Sequence, residues 1–380
     1  MPQQDQDREA RQPDPLRLVR RALRGLEPYE PVEPVEVLAE RLGVPRDRIV
    51  KLDGNENPYG PSPRVLEALA RAGSYHIYPD PDQRAVRRAL AEYTGAPEEM
   101  IVAGNGSDEI IDLLCRLFLE PDDTVIDCVP TFGMYAFSAQ VCGGRVANVP
   151  RLADRGYRVD AGAVAERVDG RTKIIFLASP NNPTGNLLSR EELEALLELG
   201  PLVVVDEAYG EFAGETFLPL VRERENLVVL RTFSKWAGLA GIRAGYGVMP
   251  PRIASLVMAI KPPYNLTVPA EVAVLASLAD RDLLLERVRR IVAERERLFQ
   301  ALKEVPYLEP LPSRANFILC RVRRGDARLV RDRLQERGIF IRYFRRPLLE
   351  NCIRVSVGRP EDTDALVSAL HELGGELEHA

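Results

Sequence analysis

Short apolar runs recur along the chain and are separated by segments with a helical pattern. Between residues 100 and 232 these runs read MIVAG, TVIDCV, KIIFLAS, PLVVVDEA and NLVVLRT. Each is rich in Val, Ile and Leu almost throughout, which is typical of strands buried on both faces of a parallel sheet. The intervening segments SDEIIDLLCRLFL and SREELEALLEL have helical spacing, and the second opens with a capping-box pattern, Ser189 followed by Glu192. The pattern predicts an α/β fold with a mostly parallel central sheet flanked by helices.

The pattern changes at both ends of this region. Beyond about residue 260, a long charged helix is predicted from about Asp280 to Glu304. Strand-like NFILCRV, IFIRYF and CIRVSVG then alternate with helical segments, which indicates a smaller α+β domain. Near the start, a helix with a proline-rich interruption is predicted from about Arg17 to Leu42.

Length supports more than one domain, because single hydrophobic cores stop growing at about 250 to 300 residues, whereas this chain has 380. The predicted parts are a disordered tail, an N-terminal segment that joins the small domain, a large domain built on the parallel sheet and a small C-terminal α+β domain. Their expected bounds are residues 1–14, 15–50, 51–260 and 261–380.

Composition excludes several classes of function. The net charge is −6 and basic residues are interleaved with acidic ones, so neither a nucleic acid nor an anionic membrane is an expected partner. The five cysteines show no C-x-x-C spacing, which favours core thiols in a reducing compartment, and we expect a cytoplasmic protein. The three histidines leave little for a metal site or a histidine-based catalytic triad, and no metal is expected.

Polar residues follow the predicted strands at their carboxyl ends, where open α/β sheets bind ligands. After MIVAG, the residues Gly106, Ser107 and Asp108 open a helix, whose N-terminal N–H groups form a natural phosphate cradle. The other strand ends supply an amide, an acid, a phenol, two hydroxyls, an amine and a guanidinium. These are Asn182, Asp206, Tyr209, Thr232, Ser234, Lys235 and Arg243.

Each of these residues alone has a structural explanation, as a turn, a helix cap, a surface ion pair or a surface lysine. Together they suit pyridoxal 5′-phosphate. Lys235 would form the Schiff base and then act as a base, and Asp206 would keep the pyridine nitrogen protonated. Asn182 and Tyr209 would bind the ring 3-oxygen. The phosphate would take donors from Thr232, Ser234 and Arg243.

Nine motifs then carry a resemblance that runs from about residue 15 to the C-terminus. They are KLDGNENPYGPSP, YPD, GNGSDE, PTFGMY, SPNNPTG, DEAY, SKWAGLAGIRAGYG, ANF and IRVSVG. In this order and spacing they resemble the class II aminotransferases among the fold-type I pyridoxal phosphate enzymes. Within that family the chain is most similar to the histidinol-phosphate aminotransferases.

The resemblance implies further roles. Phe132 of PTFGMY matches the aromatic residue that stacks on the cofactor ring. Tyr78 of YPD matches a tyrosine that reaches the cofactor phosphate of the neighbouring subunit, which implies a homodimer with shared active sites. Arg354 and Arg342 match two arginines that bind substrate anions, and Tyr29 matches a tyrosine that closes over the substrate. Asn182 is expected to contact the substrate as well.

The implied reaction is transamination of L-histidinol phosphate with 2-oxoglutarate, which gives imidazole acetol phosphate and L-glutamate in histidine biosynthesis. Three alternatives stay open from the sequence. An aromatic amino-acid aminotransferase differs by a few pocket residues, and a threonine-phosphate decarboxylase uses nearly the same scaffold. A non-catalytic pyridoxal-binding regulator is disfavoured by the presence of Lys235, Asp206 and both arginines.

Overall fold

The computed structural model describes residues 15–26 and 28–377. The expected tail, residues 1–14, lies outside this part of the chain. The strands are β1 Val50–Leu52, β2 Ile101–Gly104, β3 Thr124–Val129, β4 Arg145–Pro150, β5 Thr172–Ala178, β6 Leu202–Asp206, β7 Leu227–Thr232, β8 Gly245–Val248, β9 Leu308–Pro310, β10 Phe317–Val322, β11 Ile339–Tyr343 and β12 Cys352–Ser356. The α-helices are α1 Val35–Leu42, α2 Pro63–Arg71, α3 Arg84–Thr94, α4 Gly106–Phe118, α5 Met134–Cys142, α6 Ala161–Ala165, α7 Arg190–Leu197, α8 Gly210–Ala213, α9 Pro251–Ile260, α10 Val268–Ala279, α11 Arg281–Lys303, α12 Ala327–Glu336 and α13 Pro360–Leu377.

The larger sheet has seven strands in the order β2-β8-β7-β6-β5-β3-β4. Strands β3 to β7 pair in parallel, whereas β8 runs antiparallel to both β7 and β2. Every residue of β6 and β7 is buried, because helices cover both faces of the sheet. The predicted α/β fold with a mostly parallel sheet is confirmed.

The smaller sheet has five strands in the order β1-β11-β12-β10-β9. Only the β1–β11 pair is parallel, since β1 comes from the N-terminal segment and the other four strands follow one another late in the chain. We propose that the N-terminal segment ends at Leu52, because β1 is hydrogen-bonded into this sheet. We also propose that the large domain continues to Ala279, because α10 packs on α2 and α3.

Local signals account for several element bounds. The capping box is confirmed, as Ser189 Oγ accepts a hydrogen bond from the N–H of Glu192, whose carboxylate accepts one from the N–H of Ser189. The long charged helix is also confirmed as α11. The helix predicted from about Arg17 to Leu42 with a proline-rich interruption is confirmed only at its end, as α1; among the described residues before Pro34, the helical parts are two short 3-10 turns, Pro15–Leu18 and Arg21–Leu23. Prolines at positions 28, 31 and 34 remove the N–H groups that a continuous helix would need.

The buried core fills both sides of the seven-stranded sheet. Trp236, which follows the candidate Schiff-base lysine, is fully buried and stacks on Tyr93 at 5.4 Å between ring centres, so it belongs to this core. All five cysteines are free thiols, and Cys142 alone among them is partly accessible. Within residues 15–26 and 28–377, no helix has the length and apolar character needed to cross a bilayer.

Candidate active site

The strands of the larger sheet bring the predicted residues to one edge. Asp206 is the last residue of β6, and Lys235 lies three residues beyond the end of β7. These two strands are neighbours, with Asp206 paired to Leu230 in the parallel register. The predicted acid and amine therefore emerge at the same edge of the sheet, as the shared carboxyl ends of parallel strands require.

Lys235 is poorly solvated and has no carboxylate partner within the described residues. Its Nζ donates a hydrogen bond to the carbonyl oxygen of Gly54 at 3.2 Å and lies 6.0 Å from the ring centre of Tyr209. Burial, and then the positive charge of Arg354, lowers the pKa of Lys235 to about 8. A considerable fraction of this amine is therefore neutral near physiological pH, which is the form that attacks a carbonyl carbon.

Asp206 is buried and fixed by two hydrogen bonds. The backbone N–H of Ala208 donates to Oδ1 at 3.0 Å, and the hydroxyl of Tyr135 donates to Oδ2 at 2.8 Å. Burial raises the pKa of Asp206 to about 6, while these two hydrogen bonds act in the opposite direction. The carboxylate stays mostly ionised at neutral pH and can stabilise a cation placed against it.

Arg354 links the two sheets at the site. Its guanidinium donates from Nη1 to Asn182 Oδ1 and from Nη2 to the carbonyl oxygen of Asp53, both at 2.6 Å. Nε is buried and has no hydrogen-bond partner among the described residues. Tyr209 lies nearby and its hydroxyl accepts a hydrogen bond from Asn55 Nδ2 at 3.0 Å, while burial raises the pKa of Tyr209 to about 12. The predicted amide thus hydrogen-bonds to Arg354, and the predicted phenol interacts with the same guanidinium electrostatically.

The predicted phosphate cradle forms at the start of α4. Gly106 has φ of +75°, and a Cβ built there would lie 2.6 Å from Arg243 Nη2, so no other residue would leave this guanidinium in place. Arg243 pairs with Asp108 at 2.9 Å and lies 3.4 Å from Ser234 Oγ, which in turn accepts a hydrogen bond from Thr232 Oγ1 at 3.0 Å. A guanidinium, two hydroxyls and a helix N-terminus converge here, and this donor set fits a phosphate dianion.

Aromatic residues form one wall of the site. Phe132 contacts Tyr135 edge to face at 5.6 Å between ring centres, and the ring of Tyr29 approaches Phe132 at 6.0 Å. Tyr29 comes from the N-terminal segment and is 39% exposed. The structure therefore brings the predicted stacking residue and the predicted closing residue into contact.

Arg342 and Arg354 occupy directly opposed positions on β11 and β12. Opposed residues of an antiparallel pair project from the same face of a sheet, so the two guanidinium groups lie close together. Arg342 Nη2 donates to the carbonyl oxygen of Glu30 at 3.0 Å. Both arginines thus form hydrogen bonds to neutral oxygens, and neither forms an ion pair within the described residues.

Tyr78 is the predicted site residue that this chain does not bring into the network. Its side chain is 76% exposed and stacks on Tyr264 with 4.3 Å between ring centres. Tyr75 and Ile77 beside it are also more than half exposed. This exposed aromatic position is accessible to a neighbouring chain.

The sequence reasoning missed three features of the site. Tyr135 stands in the quoted motif PTFGMY and Asn55 in KLDGNENPYGPSP, yet neither was assigned a role; nothing in either motif shows which polar atom the fold places opposite. Arg231 is also buried, and it forms ion pairs with Glu207 at 2.8 Å and with Glu211 at 2.7 Å. This triad, Glu207–Arg231–Glu211, joins the segment after β6 to the end of β7. In the sequence, this triad is indicated by Glu207 and Arg231, two charged residues that lie inside apolar runs.

The arrangement suits an organic cofactor that carries a phosphate and a carbonyl group. It offers a phosphate-binding donor set, an amine of lowered pKa, a buried carboxylate and a buried guanidinium with an unpartnered N–H. In the described part of the chain, no three His, Cys, Asp or Glu side chains come together as metal ligands would.

Comparisons with known proteins point the same way. The model of the family described as aminotransferase class I and II matches residues 47–370. A histidinol-phosphate aminotransferase from Roseiflexus castenholzii is 54% identical over 346 residues, covering 88% of this chain and 92% of the relative. The chloroplastic histidinol-phosphate aminotransferase of Nicotiana tabacum is 50% identical over 337 residues, covering 88% of this chain and 81% of that protein. The crystal structure of histidinol-phosphate aminotransferase from Sinorhizobium meliloti in complex with pyridoxal-5′-phosphate has a TM-score of 0.84 and 31% identity, over 94% of this chain and 97% of that chain.

Proposed function

The chain belongs to the class I and II aminotransferase family, and from that premise we propose that it transfers the amino group of L-histidinol phosphate to 2-oxoglutarate. The products are imidazole acetol phosphate and L-glutamate, and the reaction belongs to histidine biosynthesis. The protein is a pyridoxal 5′-phosphate-dependent enzyme, as the family and the cofactor-bound structural neighbour indicate. The comparisons do not favour an aromatic aminotransferase, a threonine-phosphate decarboxylase or an inert regulator.

The site residues divide into groups according to what they would hold. Asp206 would face the pyridine nitrogen, Phe132 the ring face, and Asn182 with Tyr209 the ring 3-oxygen. The phosphate would be bound by the start of α4 together with the side chains of Thr232, Ser234 and Arg243. When bound, pyridoxal 5′-phosphate supplies a carbonyl carbon for the amine and an electron sink for the α-carbon of the substrate.

Lys235 has two tasks in this proposal. Its lowered pKa provides the neutral Nζ that attaches the cofactor, and the same atom then takes and returns the proton at the α-carbon of the amino donor. The hydrogen bond from Nζ to the carbonyl oxygen of Gly54 orients the amine. A carbonyl oxygen carries no net charge, so it stabilises the protonated amine less than a carboxylate would. Asp206 accepts hydrogen bonds from Tyr135 and Ala208, which favour its ionised form, and it would place a compensating negative charge against the pyridine nitrogen.

The observation that carries the choice of donor is the pairing of Arg342 with Arg354 across β11 and β12. Two neighbouring guanidinium groups without an ion-pair partner in the described residues repel one another, and a phosphate dianion would relieve that repulsion. Arg354 is buried and Arg342 is partly exposed, so the deeper group would suit the carboxylate of glutamate and the outer one the phosphate of the donor.

The assembly and location are parts of the same proposal. A homodimer is supported by an exposed apolar patch made of Tyr75, Ile77, Tyr78 and Tyr264, because such clusters mark interaction surfaces. In that dimer Tyr78 would complete the phosphate site of the neighbouring subunit. The free thiols favour a reducing compartment, and we place the enzyme in the cytoplasm.

A substrate panel tests this function. The purified enzyme loaded with pyridoxal 5′-phosphate should form glutamate from 2-oxoglutarate fastest with L-histidinol phosphate, and much more slowly with phenylalanine or threonine phosphate. Release of CO2 from threonine phosphate would instead identify a decarboxylase, and a higher kcat/KM for phenylalanine would identify an aromatic aminotransferase. An absorption band of the cofactor that no donor shifts would identify an inert binder.

A further inference from the structure

Tyr135 is a buried residue at the start of α5 to which the proposed function gives no direct contact with cofactor or substrate. Its exposed fraction is 0%. The ring stacks on Phe176 of β5 with 4.9 Å between centres and an interplanar angle of 5°. Phe132 packs against the same ring in a T-shaped arrangement, with 5.6 Å between ring centres and an interplanar angle of 81°. These two contacts fix the plane of the phenol ring.

The hydroxyl of Tyr135 has a single hydrogen-bond acceptor among the described residues. It donates to Asp206 Oδ2 at 2.8 Å, and Asp206 Oδ1 is held by the N–H of Ala208. A buried phenol normally finds a partner for its hydroxyl, and here that partner is the carboxylate at the end of β6. One side chain therefore contacts both the carboxylate assigned to the pyridine nitrogen and the aromatic ring assigned to the cofactor face.

We propose that Tyr135 is a positioning residue that fixes Asp206 and Phe132 relative to each other and keeps Asp206 ionised through its hydroxyl. This role rests on the proposed function, in which these two residues contact the pyridine ring. Tyr135 acts through both of them and does not itself touch the ring.

The hydroxyl has a direct electrostatic consequence. Burial of Asp206 disfavours its charged form, and a hydrogen bond donated to the carboxylate favours that form. The other ionisable groups that interact with the pair are Asp108 on α4, Glu207 and Tyr209 after β6, Asp127 on β3 and Arg151 after β4. Burial raises the pKa of Asp127 to about 7, so this carboxyl titrates in the same pH range, but it is present in every variant and its band remains in D206N. Removal of the hydroxyl should therefore raise the pKa of Asp206.

The test is a pH titration of the Asp206 carboxyl by infrared spectroscopy in the full-length chain freed of cofactor. The carboxyl band is identified by its loss in D206N. In Y135F the midpoint should rise by about one to two pH units, because the loss of one hydrogen bond to a charged carboxylate raises the pKa of that carboxyl by about this amount. Y246F is the matched control, because Tyr246 is equally buried and its hydroxyl has no partner in the described residues. Its midpoint should equal that of the wild type.

A second variant provides an independent test in case Y135F folds poorly. A 3-fluorotyrosine at position 135 keeps the ring and the hydroxyl but makes the phenol a stronger donor, so the midpoint should fall. Midpoints that do not move in either variant would overturn the proposal. In the loaded enzyme, Y135F should also bind pyridoxal 5′-phosphate about tenfold more weakly, as loss of one such bond implies, and an unchanged affinity would contradict the positioning role.

The titration separates this inference from the proposed function. It is read without cofactor or substrate, so an unmoved midpoint removes the role of Tyr135 and leaves the transamination proposal intact. A shifted midpoint in a chain that does not transaminate would remove the proposed function alone.

Discussion

The proposed cofactor side and the proposed substrate side of the site are built differently. On the proposed cofactor side, Asp206, Thr232 and Ser234 are buried at or just beyond the ends of central strands; Tyr135 donates a hydrogen bond to Asp206, and Thr232 donates one to Ser234. On the substrate side, Arg342 and Tyr29 are partly exposed and come from the smaller sheet and the N-terminal segment. The cofactor side is thus fixed before binding, whereas the substrate side is held by few contacts and can adjust to two substrates in turn.

Arg354 stands between the two sides. It belongs to β12 of the smaller sheet, yet it donates to Asn182 in the loop after β5 of the larger one. A substrate anion bound by Arg354, as we propose, would therefore lie next to the residues assigned to the cofactor. The contrast between a fixed side and an adjustable side leads to four predictions, ordered from the largest expected effect.

Replacing Lys235 by alanine should cause the largest loss. The change removes both the attaching amine and the base, so the transamination rate should fall at least about 10³-fold, while the cofactor still binds noncovalently through the other residues. The measurement is glutamate formation together with cofactor retention on gel filtration. A wild-type rate in K235A would refute the assignment of the amine.

Replacing Arg231 by methionine should destabilise the fixed side. The change leaves Glu207 and Glu211 buried without a cation, and breaking a buried ion pair in this way costs about 3–5 kcal/mol. Urea unfolding measures the effect. The control is Arg190→Met, which removes the exposed partner of Glu194 and should change stability by less than about 1 kcal/mol. Equal losses in both variants would show that the triad contributes no special stability.

The pH dependence of Lys235 reactivity tests whether burial lowers the pKa of its amine before the cofactor binds. The amine is inert when protonated, so its labelling rate in the cofactor-free chain should rise with pH and level off above about 8. An ordinary lysine, with a pKa of about 10.4, would continue to rise by about two further pH units. Mass spectrometry of a small amine-reactive label measures this, with exposed Lys303 in the same sample as the reference. A plateau near pH 10 for Lys235 would show that burial does not affect its amine.

Replacing Arg342 by alanine should act on the adjustable side alone. We expect the KM for L-histidinol phosphate to rise about tenfold or more, because a charged contact to the phosphate is lost, with little change for glutamate in the reverse half-reaction. Steady-state kinetics with each donor measures the difference. The matched control is Arg345→Ala, which removes an exposed arginine of the same segment. An equal loss for both donors would exclude a phosphate role for Arg342.

Residues of the site also differ in how well the sequence predicted their roles and partners. Lys235, Asp206 and the cradle at Gly106 could be assigned because each directly follows a predicted strand, and the strands of a parallel sheet place their ends together. Tyr135 and Asn55 lay in recognised motifs, yet their partners are 71 and 154 residues away along the chain. Periodicity carries no information about such pairs. The prediction for the N-terminal segment included a proline-rich interruption, yet among its described residues the α-helical part is limited to α1, which begins after the third of three prolines.

The sequence by itself determined the mostly parallel α/β architecture, with five of the seven strands of its large sheet, and the residue types that a pyridoxal enzyme needs, because strand burial and strand-end chemistry are local properties of the chain. Only the tertiary structure decided which groups share hydrogen bonds and which charges lack partners. The placement of Arg342 opposite Arg354 depends on the register of two strands, and the fixing of Asp206 depends on Tyr135 at the start of α5, which donates a hydrogen bond to it. Hydrogen bonds and Coulomb interactions act over a few ångströms, so they follow spatial neighbours, which the fold assembles from distant parts of the sequence.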